Sequence, residues 1–247
     1  MDKQDLDRLK GAYGPEFRYH DENLAMLGWY VERMMGALTR SNARTLISLG
    51  IGHGVVGRAI LAGLASRLAE YTVVEGSPEA VSAFRASTAV PPNVRVVNAL
   101  FEEFDPGSAV DAVEMGFVLE HVDDPAAVLE RYAGFLRPGG TMVVVVPNAR
   151  ALHRRFGHAA GLLDNLFRLS PDDLLLGHKR YFDLASITEL VLDAPLKVVR
   201  AEGVYLKCLT TAQLGALALP PEVRRAFFTV GIEHPELCNA IYLEAVR

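Results

Sequence analysis

Short apolar runs and stretches of helically spaced apolar residues alternate along most of the chain. The short runs predict strands, and the stretches between them, where apolar residues recur three and four positions apart, predict helices. Five units of a strand followed by a helix indicate a parallel sheet with helices on both faces, which is an α/β fold. The predicted strands cover residues 45–49, 71–75, 94–98, 111–115, 141–146, 197–205 and 240–246.

Several of the predicted helices begin at recognisable capping residues. Ser77 stands directly before a proline and predicts an N-cap with proline at the first helical position. Asp123 and Asp124 also precede a proline, and two adjacent acids are too few ligands for a metal site. We therefore expect them to cap the next helix, and Asp183 to cap a later one.

The chain before the first strand is predicted to be helical. Residues 23–40 carry apolar side chains at helical spacing, and the aromatic residues 13–20 precede them. The pattern allows two interpretations. Either a tethered aromatic arm leads into a packed helix, or Tyr13, Tyr19 or His20 belongs to a lid that closes over a ligand pocket.

The pattern changes around the fifth strand. A turn is predicted at residues 137–140, a helix over 149–169, and a loop with one helical turn over 169–182. Residues 207–236 are predicted to contain further helices. Because no linker rich in glycine, serine or proline interrupts the chain, we expect a single domain over residues 1–247.

A glycine-rich turn follows the first strand. Gly50, Gly52 and Gly54 precede a helix, whose free N–H groups and dipole favour a polar or negative ligand. Glu75 ends the second strand, where its carboxylate can accept hydrogen bonds from two adjacent ribose hydroxyls. These features predict a nucleoside-containing cofactor, although Gly52, Gly54 and Gly57 also fit the dinucleotide pattern.

Composition excludes several classes of partner. The net charge of −5 and the pI of about 5.8 argue against nucleic acid. Cys208 and Cys238 have neither metal-ligand spacing nor a disulfide framework. The charged opening residues do not resemble a signal peptide, and no apolar run reaches the roughly 20 residues of a membrane helix. We therefore expect a cytoplasmic protein with no membrane partner and no metal, and a homodimer is compatible with the sequence.

Four blocks, in this order, carry a resemblance to a known family. They are the turn at 50–54, Glu75, VLEHVDDP at 118–125 and FLRPGG at 135–140. The chain resembles the class I S-adenosylmethionine-dependent methyltransferases over about residues 44–148. This implies S-adenosyl-L-methionine as cofactor and a Rossmann-like, doubly wound, seven-stranded mixed sheet with helices on both faces. It also implies a helical N-terminal lid over residues 1–40 and an acceptor cover, with the last two strands, over 149–247.

The resemblance assigns roles to residues at the ends of the first four strands. The glycines would admit the methionine part of the cofactor, Glu75 would accept from the ribose, and the residues after the third strand would lie against the adenine. Ser48 is a departure, since the family usually has an acid there. The implied cofactor-binding residues, with Tyr19 from the lid, are Gly50, Gly52, Gly54, Glu75, Gly76, Ser77, Leu100, Phe101, Met115, Gly116 and Tyr19.

Methyl transfer needs in-line placement of the acceptor and, for many acceptors, removal of a proton. His121, His153 and His178 are the candidate bases, because neutral histidine accepts protons near pH 7. Each also has a structural interpretation as a helix-start, helix-surface or cover residue. The basic residues of these segments either form a solvated face or bind an acceptor carboxylate or phosphate. The candidate acceptor-binding residues are Asn148, Arg154, Tyr181, Lys179 and Tyr13.

The sequence thus predicts methyl transfer to oxygen or nitrogen of a small, anionic or neutral metabolite such as a sugar or natural-product intermediate. A nicotinamide-dependent oxidoreductase is one alternative. It should carry a Tyr-x-x-x-Lys relay near the fourth or fifth strand, and no such relay is present there. A non-catalytic partner protein of the same fold is the other alternative. It predicts a degraded cofactor turn, whereas the three glycines and Glu75 are intact.

Overall fold

A single seven-stranded sheet lies at the centre of the computed structural model, which describes residues 6–7 and 14–247. The strand order is β3-β2-β1-β4-β5-β7-β6. Strands β1 to β5 are parallel, and β7 runs antiparallel between β5 and β6. The predicted mixed, doubly wound sheet is confirmed. The strands are β1 (Thr45–Leu49), β2 (Glu70–Glu75), β3 (Val94–Asn98), β4 (Val110–Gly116), β5 (Leu136–Pro147), β6 (Lys197–Val204) and β7 (Ala240–Val246).

Helices cover both faces of this sheet. The predicted caps are confirmed, since the side chains of Ser77, Asp124 and Asp183 each accept a hydrogen bond from a backbone N–H of the helix that follows. The helices are α1 (His20–Arg40), α2 (Val55–Gly63), α3 (Pro78–Ser87), α4 (Pro125–Phe135), α5 (Leu152–Ala159), α6 (Pro171–Leu175), α7 (Leu184–Asp193), α8 (Thr211–Ala216) and α9 (Pro221–Gly231).

The core lies on the two faces of β4 and β5. The four consecutive valines of β5, residues 143–146, are fully buried, as expected for a central strand that is covered on both faces. One face packs against α4 and α7. The other packs against α1, whose Tyr30 and Met34 are fully buried, so the N-terminal helix is part of the core.

Three predicted boundaries are wrong, each for a local reason. The predicted turn at 137–140 is part of β5, because Arg247 after β7 exchanges backbone hydrogen bonds with Gly139 and Gly140. The helix predicted over 149–169 is confined to α5, and Gly161, at a left-handed φ of +71°, lies just beyond its end. The apolar pattern after Gly54 predicts a helix to about residue 69, but α2 ends at Gly63, where the N–H groups of Leu64 and Ala65 both donate to the Ile60 carbonyl.

The order of the strands reverses between β1 and β4. In open α/β sheets a ligand crevice forms beyond the carboxyl ends of the strands at this point. The loops after β1 and β4 therefore face a common space, and α1 crosses its rim. Within the described part of the chain, no helix is long and apolar enough to cross a membrane.

Candidate functional site

A cavity of about 550 Å³ lies beyond the carboxyl ends of β1 to β5. We call its two parts the glycine end and the histidine end. The glycine end is formed by the loops after β1, β2 and β3, with lining residues Gly50, Gly52, Glu75, Gly76, Leu100 and Phe101. The histidine end is formed by the loops after β4, β5 and β6 and by the start of α1, with lining residues Glu22, Glu120, His121, His153, Asp173, His178 and Lys207.

Left-handed backbone shapes the glycine turn. Gly50 has a φ of +82° and Gly54, the N-cap of α2, a φ of +70°, conformations that favour glycine. The turn is held to β2 by a hydrogen bond of 2.8 Å from the Gly50 N–H to the Val74 carbonyl. Gly50 and Gly52 line the cavity. Gly54 does not line the cavity; its role is at the start of helix α2.

Glu75 is fixed at the rim of the glycine end by backbone donors. Its two carboxylate oxygens accept hydrogen bonds from the N–H groups of Ile51 and Ser77, each at 2.8 Å. Burial raises the pKa of the Glu75 carboxyl, against the opposing effect of these donors. Ser77 does not line the cavity, because its hydroxyl caps α3 and donates to Asp7.

A narrow slot lies beside Glu75. A Cβ atom placed on Gly76 would approach Leu6 Cδ1 to 2.4 Å and Leu100 Cδ2 to 3.4 Å, so a larger residue would fit only if the Leu6 side chain moved. Leu6, Leu100 and Phe101 line this part of the cavity. A flat group such as a base therefore finds apolar walls here and the carboxylate of Glu75 at the edge.

The centre of the cavity is occupied by a buried carboxylate. Glu114, on β4, accepts hydrogen bonds from the Tyr30 hydroxyl and from the Gly116 N–H, and lies opposite Ser48 in the sheet. Burial raises the pKa of its carboxyl, while the hydrogen bonds from Tyr30, Gly116 and Ser48 oppose the rise. Ser48 stands where the family pattern usually has an acid on β1, and Glu114 lies opposite it on the adjacent strand.

Gly116 allows α1 to close over this centre. A methyl group on Gly116 would lie 2.5–2.8 Å from the Tyr30 ring. Phe117 follows at a φ of +58°, an unusual backbone conformation for an aromatic residue, and lines the cavity. The prediction for Met115 is corrected. Its side chain is fully buried in the core and does not reach the cavity.

The histidine end contains an unusual carboxylate. Glu120 is completely buried, and neither of its carboxylate oxygens has a hydrogen-bond partner among the described residues. Burial raises the pKa of its carboxyl to about 7. His121 Nε2 lies 4.0 Å from Glu120 Oε1. Burial, together with the neighbouring His178, lowers the pKa of His121 to about 3, so this ring is neutral at neutral pH.

His178 completes this group from the cover segment. Its ring lies edge-on to that of His121, with ring centroids 4.8 Å apart, and its Nδ1 is 3.3 Å from Asp173 Oδ1. Burial alone would raise the pKa of Asp173, but hydrogen bonds with His178 and Ser170 lower it to about 2. The ligand atoms of Glu120, His121 and His178 all lie within 4.8 Å of one another.

Backbone contacts bring these distant residues together. The Lys179 N–H donates to the Glu120 carbonyl at 2.8 Å, and the Arg180 guanidinium donates to the Val122 carbonyl at 2.6 Å. The His178 N–H donates to the Asp173 carbonyl at 2.9 Å. The segment that carries His178 is therefore bonded to the loop that carries Glu120 and His121.

His153 lines the cavity separately from this group. It lies on α5, and its N–H donates to the Lys207 carbonyl at 3.1 Å. Burial and the nearby positive charges of Lys207 and Arg154 lower the pKa of its ring to about 3. A ring with so low a pKa accepts a proton poorly near pH 7.

The cationic side chains that line the described cavity are all engaged within the protein. Arg154 donates to the carbonyls of Leu166 and Arg168 and to the Tyr181 hydroxyl. Lys179 pairs with Asp123. The predicted anion-binding residues Arg154 and Lys179, and Tyr181 with them, thus lie at the cavity but hold the cover in place.

Lys207 closes the histidine end against α1. Its ammonium group lies 2.6 Å from Glu22 Oε1 and 2.7 Å from the Thr211 hydroxyl, and Thr211 also donates to Glu22 at 2.7 Å. Tyr19 lines the cavity, with the Lys207 ammonium 5.5 Å from its ring centroid. Tyr13 lies outside the described residues.

Asn148 has a structural role in this arrangement. It lines the cavity, but its side chain is buried, donates to the carbonyls of Pro235 and Cys238, and accepts from the Arg150 N–H. The sequence reasoning overlooked Asp173 and Glu22. Asp173 had a local signal, since Ser170 and Asp173 form a capping box, but nothing near Glu22 in the sequence indicates its partner Lys207.

The glycine end fits a nucleoside cofactor. The glycine turn leaves room for a ligand chain that carries charged groups. The slot beside Glu75 is narrow at Gly76. Glu75 is held at the rim by two backbone donors and has further lone pairs that can accept from ligand hydroxyls. The donors and the shape agree with an adenosine that carries an amino acid tail.

Sequence comparisons place these features among known proteins. The profile of a family described as "Methyltransferase domain" matches residues 24–201. The ubiquinone biosynthesis O-methyltransferase of Xanthomonas campestris pv. campestris is 33% identical over 148 residues, 58% of this chain and 57% of that protein. This chain therefore spans little more than half the length of the curated relatives it matches.

Structural comparisons agree on the fold. Magnesium protoporphyrin IX methyltransferase from Synechocystis PCC 6803, with bound S-adenosylhomocysteine, has a TM-score of 0.64 at 14% identity, over 100% of this chain and 95% of that one. An N-methyltransferase from Bradyrhizobium japonicum WM9, also with S-adenosylhomocysteine, has a TM-score of 0.53 at 13% identity, over 88% and 87%. At such identities the likeness shows a shared fold.

Proposed function

This chain belongs to the class I S-adenosylmethionine-dependent methyltransferases, and from that premise we propose that it methylates a hydroxyl oxygen of a small, uncharged molecule. One observation carries the proposal. Glu120 lines the cavity, and its completely buried carboxylate lies beside two imidazoles with no hydrogen-bond donor among the described residues. A hydroxyl group of an acceptor supplies such a donor.

We assign the glycine end to S-adenosylmethionine. Glu75 would accept from the ribose hydroxyls, Gly76, Leu100 and Phe101 would enclose the adenine, and Gly50 and Gly52 would admit the methionine part. The cofactor supplies a methyl group on a positively charged sulfur, and its transfer yields S-adenosylhomocysteine, the methyl ether and the proton of the acceptor hydroxyl. The protein contributes placement and takes up or releases that proton.

We place the acceptor at the histidine end. Glu120, His121 and His178 would bind its hydroxyl and favour its deprotonated form. His153 and His121 are weaker candidate bases, because a pKa of about 3 leaves each ring little affinity for a proton, so Glu120, with a pKa of about 7, is the candidate base. Oxygen is favoured over nitrogen because a hydroxyl can donate to Glu120 and, once deprotonated, accept from an imidazole. The O-methyltransferase named above is the sequence relative in line with this choice.

The paired cations favour an uncharged acceptor. Arg154, Lys179 and Lys207 are the cationic side chains that the described residues bring to the cavity wall, and each already has acidic or carbonyl partners. A carboxylate or phosphate would have to displace one of these contacts. An aromatic ring with hydroxyl groups would instead lie against the apolar wall formed by Met26, Leu27 and Phe117.

A set of matched acceptors tests this proposal. Purified full-length protein is incubated with S-adenosylmethionine and one of three compounds: 4-methylcatechol, 3,4-dihydroxybenzoate or 4-methyl-1,2-diaminobenzene. Mass spectrometry then measures the methylated product and S-adenosylhomocysteine. We expect product from the catechol, at least tenfold less from its carboxylated match, and none from the diamine. Faster turnover of the carboxylate or the diamine contradicts the proposed acceptor class.

A calorimetric titration provides the control for the cofactor. S-adenosylhomocysteine should bind with a micromolar dissociation constant, whereas NAD should not bind. If the protein binds S-adenosylhomocysteine but methylates none of the hydroxylated compounds, the acceptor assignment is wrong and the cofactor assignment stands.

A further inference from the structure

We propose that Glu120, His121 and His178 form a binding site for one divalent transition-metal ion at the histidine end. Each residue offers one ligand atom, and these three atoms lie within 4.8 Å of one another. No local pattern in the sequence indicates this site, because the third ligand comes from the cover segment, 57 positions after His121.

The ligand set begins with a carboxylate whose burial calls for a positive partner. Glu120 is completely buried, and neither oxygen accepts a hydrogen bond within the described structure. Burial of an unpaired carboxylate is costly unless a charge or donor compensates it. The nearby cations Arg154, Lys179, Arg180 and Lys207 bond to other partners. A bound cation would supply the missing charge.

Two imidazoles supply the other ligand atoms. His121 Nε2 lies 4.0 Å from Glu120 Oε1. His178 Nδ1 lies 3.3 Å from Asp173 Oδ1, so a carboxylate stands behind this ring. A carboxylate behind a metal-binding histidine is the usual outer-shell arrangement, because it fixes the tautomer and the orientation of the ring.

The supporting contacts hold this geometry in place. Asp173 is fixed by a capping box with Ser170 and by the Tyr181 hydroxyl, which donates to it at 3.0 Å. Lys179, next to His178, is bonded through its N–H to the Glu120 carbonyl. The three ligands therefore lie on segments that are already joined to one another, and their side chains need to move closer together to reach metal–ligand distances of about 2.1 Å.

The chemistry of the ligands identifies the class of ion. One carboxylate oxygen and two imidazole nitrogens suit zinc, cobalt, iron or manganese better than calcium or magnesium, which prefer oxygen ligands. Three protein ligands leave coordination positions open to the cavity. Under the proposed function, these positions would bind a hydroxyl or two adjacent hydroxyls and lower their pKa. The hydroxyl proton would then leave to solvent rather than to Glu120.

Metal binding can be tested apart from methyl transfer. The full-length protein is treated with a chelator, dialysed, and titrated with Co²⁺ while its visible absorption is recorded. We expect one equivalent to bind, with the absorption of nitrogen-coordinated cobalt. E120Q and H178A should each weaken Co²⁺ binding at least tenfold, on the scale of losing a ligand or its support. H153A, at the same cavity but outside the group, should bind Co²⁺ within twofold of the unaltered protein.

The outcomes distinguish the metal site from the proposed function. Only the role of the metal in binding acceptor hydroxyls rests on that function. Binding of S-adenosylhomocysteine by each variant shows that the protein is folded. The inference is overturned if the unaltered protein fails to bind Co²⁺, or if E120Q and H178A both bind it as tightly as H153A. If the metal-free protein methylates catechols fully without binding Co²⁺, only the proposed function survives. Co²⁺ binding without methyl transfer to any of the hydroxylated compounds would support the metal site and contradict the proposed function.

Discussion

The two ends of the cavity are built in opposite ways. At the glycine end, the loops after three strands present backbone groups, and Glu75 is held by two backbone N–H donors. At the histidine end, side chains from the loop after β4, the cover segment and α1 meet, and Glu120 has no donor. The first arrangement suits a ligand that every family member shares. The second leaves polar groups available for one particular acceptor.

Burial of a carboxylate has a different consequence at each end. At Glu75 the backbone donors compensate the loss of water, and the residue keeps a defined orientation. At Glu120 no side chain or backbone group of another described residue donates a hydrogen bond, and the nearby His178 offsets burial only in part, so the pKa of the carboxyl rises to about 7. An uncompensated buried carboxylate costs stability, so its presence beside an open cavity indicates a function. Four substitutions test whether the two ends of the cavity differ in this way.

The largest effect is expected from E120Q, which should lower the rate of methyl transfer about 10²- to 10⁴-fold, the range for loss of a group that handles a proton. Single-turnover product formation at saturating S-adenosylmethionine measures this change. The dissociation constant of S-adenosylhomocysteine should stay within twofold, because Glu75 and the glycine turn are unaltered. An equal loss of S-adenosylhomocysteine affinity would show that the two ends are not separate.

Removing the lysine that closes the histidine end should destabilise the fold. Lys207 is buried and the Glu22 side chain is only 10% exposed, and K207M leaves the Glu22 carboxylate without its ammonium partner. We expect the free energy of unfolding in urea to fall by about 3 kcal/mol, the scale of breaking a buried pair. The double variant K207M/E22Q should recover at least half of this loss. If it recovers nothing, the pair does not stabilise the closed cover.

At the glycine end, E75A should weaken S-adenosylhomocysteine binding by about 1–3 kcal/mol, or roughly 5- to 150-fold, the scale of losing hydrogen bonds to a charged group. Calorimetric titration measures it. E103A, on the exposed loop after β3, is the matched control and should bind normally. Co²⁺ affinity should be the same in both variants. Unchanged cofactor affinity in E75A would mean that the ribose is held by other residues.

The smallest effect concerns an acid outside the cavity. Asp111 accepts hydrogen bonds from the N–H groups of Arg44 and Thr45 and pairs with Arg137, and these contacts outweigh burial and lower its pKa. Its folded pKa therefore lies below the unfolded value of about 4, so its contribution is complete above pH 4 and is lost as the pH falls through the folded value.

The variant D111N isolates this contribution. At pH 7 we expect it to be less stable than the unaltered protein by about 1 kcal/mol, after allowance for the partly exposed Arg137. The difference should shrink as the pH approaches 2, while binding at both ends of the cavity stays normal. Urea unfolding at several pH values checks this, and a difference that grows towards low pH would contradict it.

The sequence predicts the sheet and the glycine end well because both depend on neighbours in the chain. The bounds of β1, β3 and β7 match the prediction, and Gly50 and Glu75 line the cavity as expected. The histidine end depends on distant contacts. Lys207 and Glu22 lie 185 positions apart, and no local pattern predicts such a pair. The same limit applies to Asp173 behind His178, which only the folded cover brings into contact with the loop after β4.

The contact between Tyr30 and Gly116 has a consequence for the evolution of this protein. The Tyr30 ring occupies the space in which any side chain at position 116 would lie, and its hydroxyl reaches Glu114. The side chains at positions 30 and 116 therefore compete for the same space. In descendants of this chain, a larger residue at 116 should appear together with a smaller one at 30, and a paired change should survive where either change alone is lost.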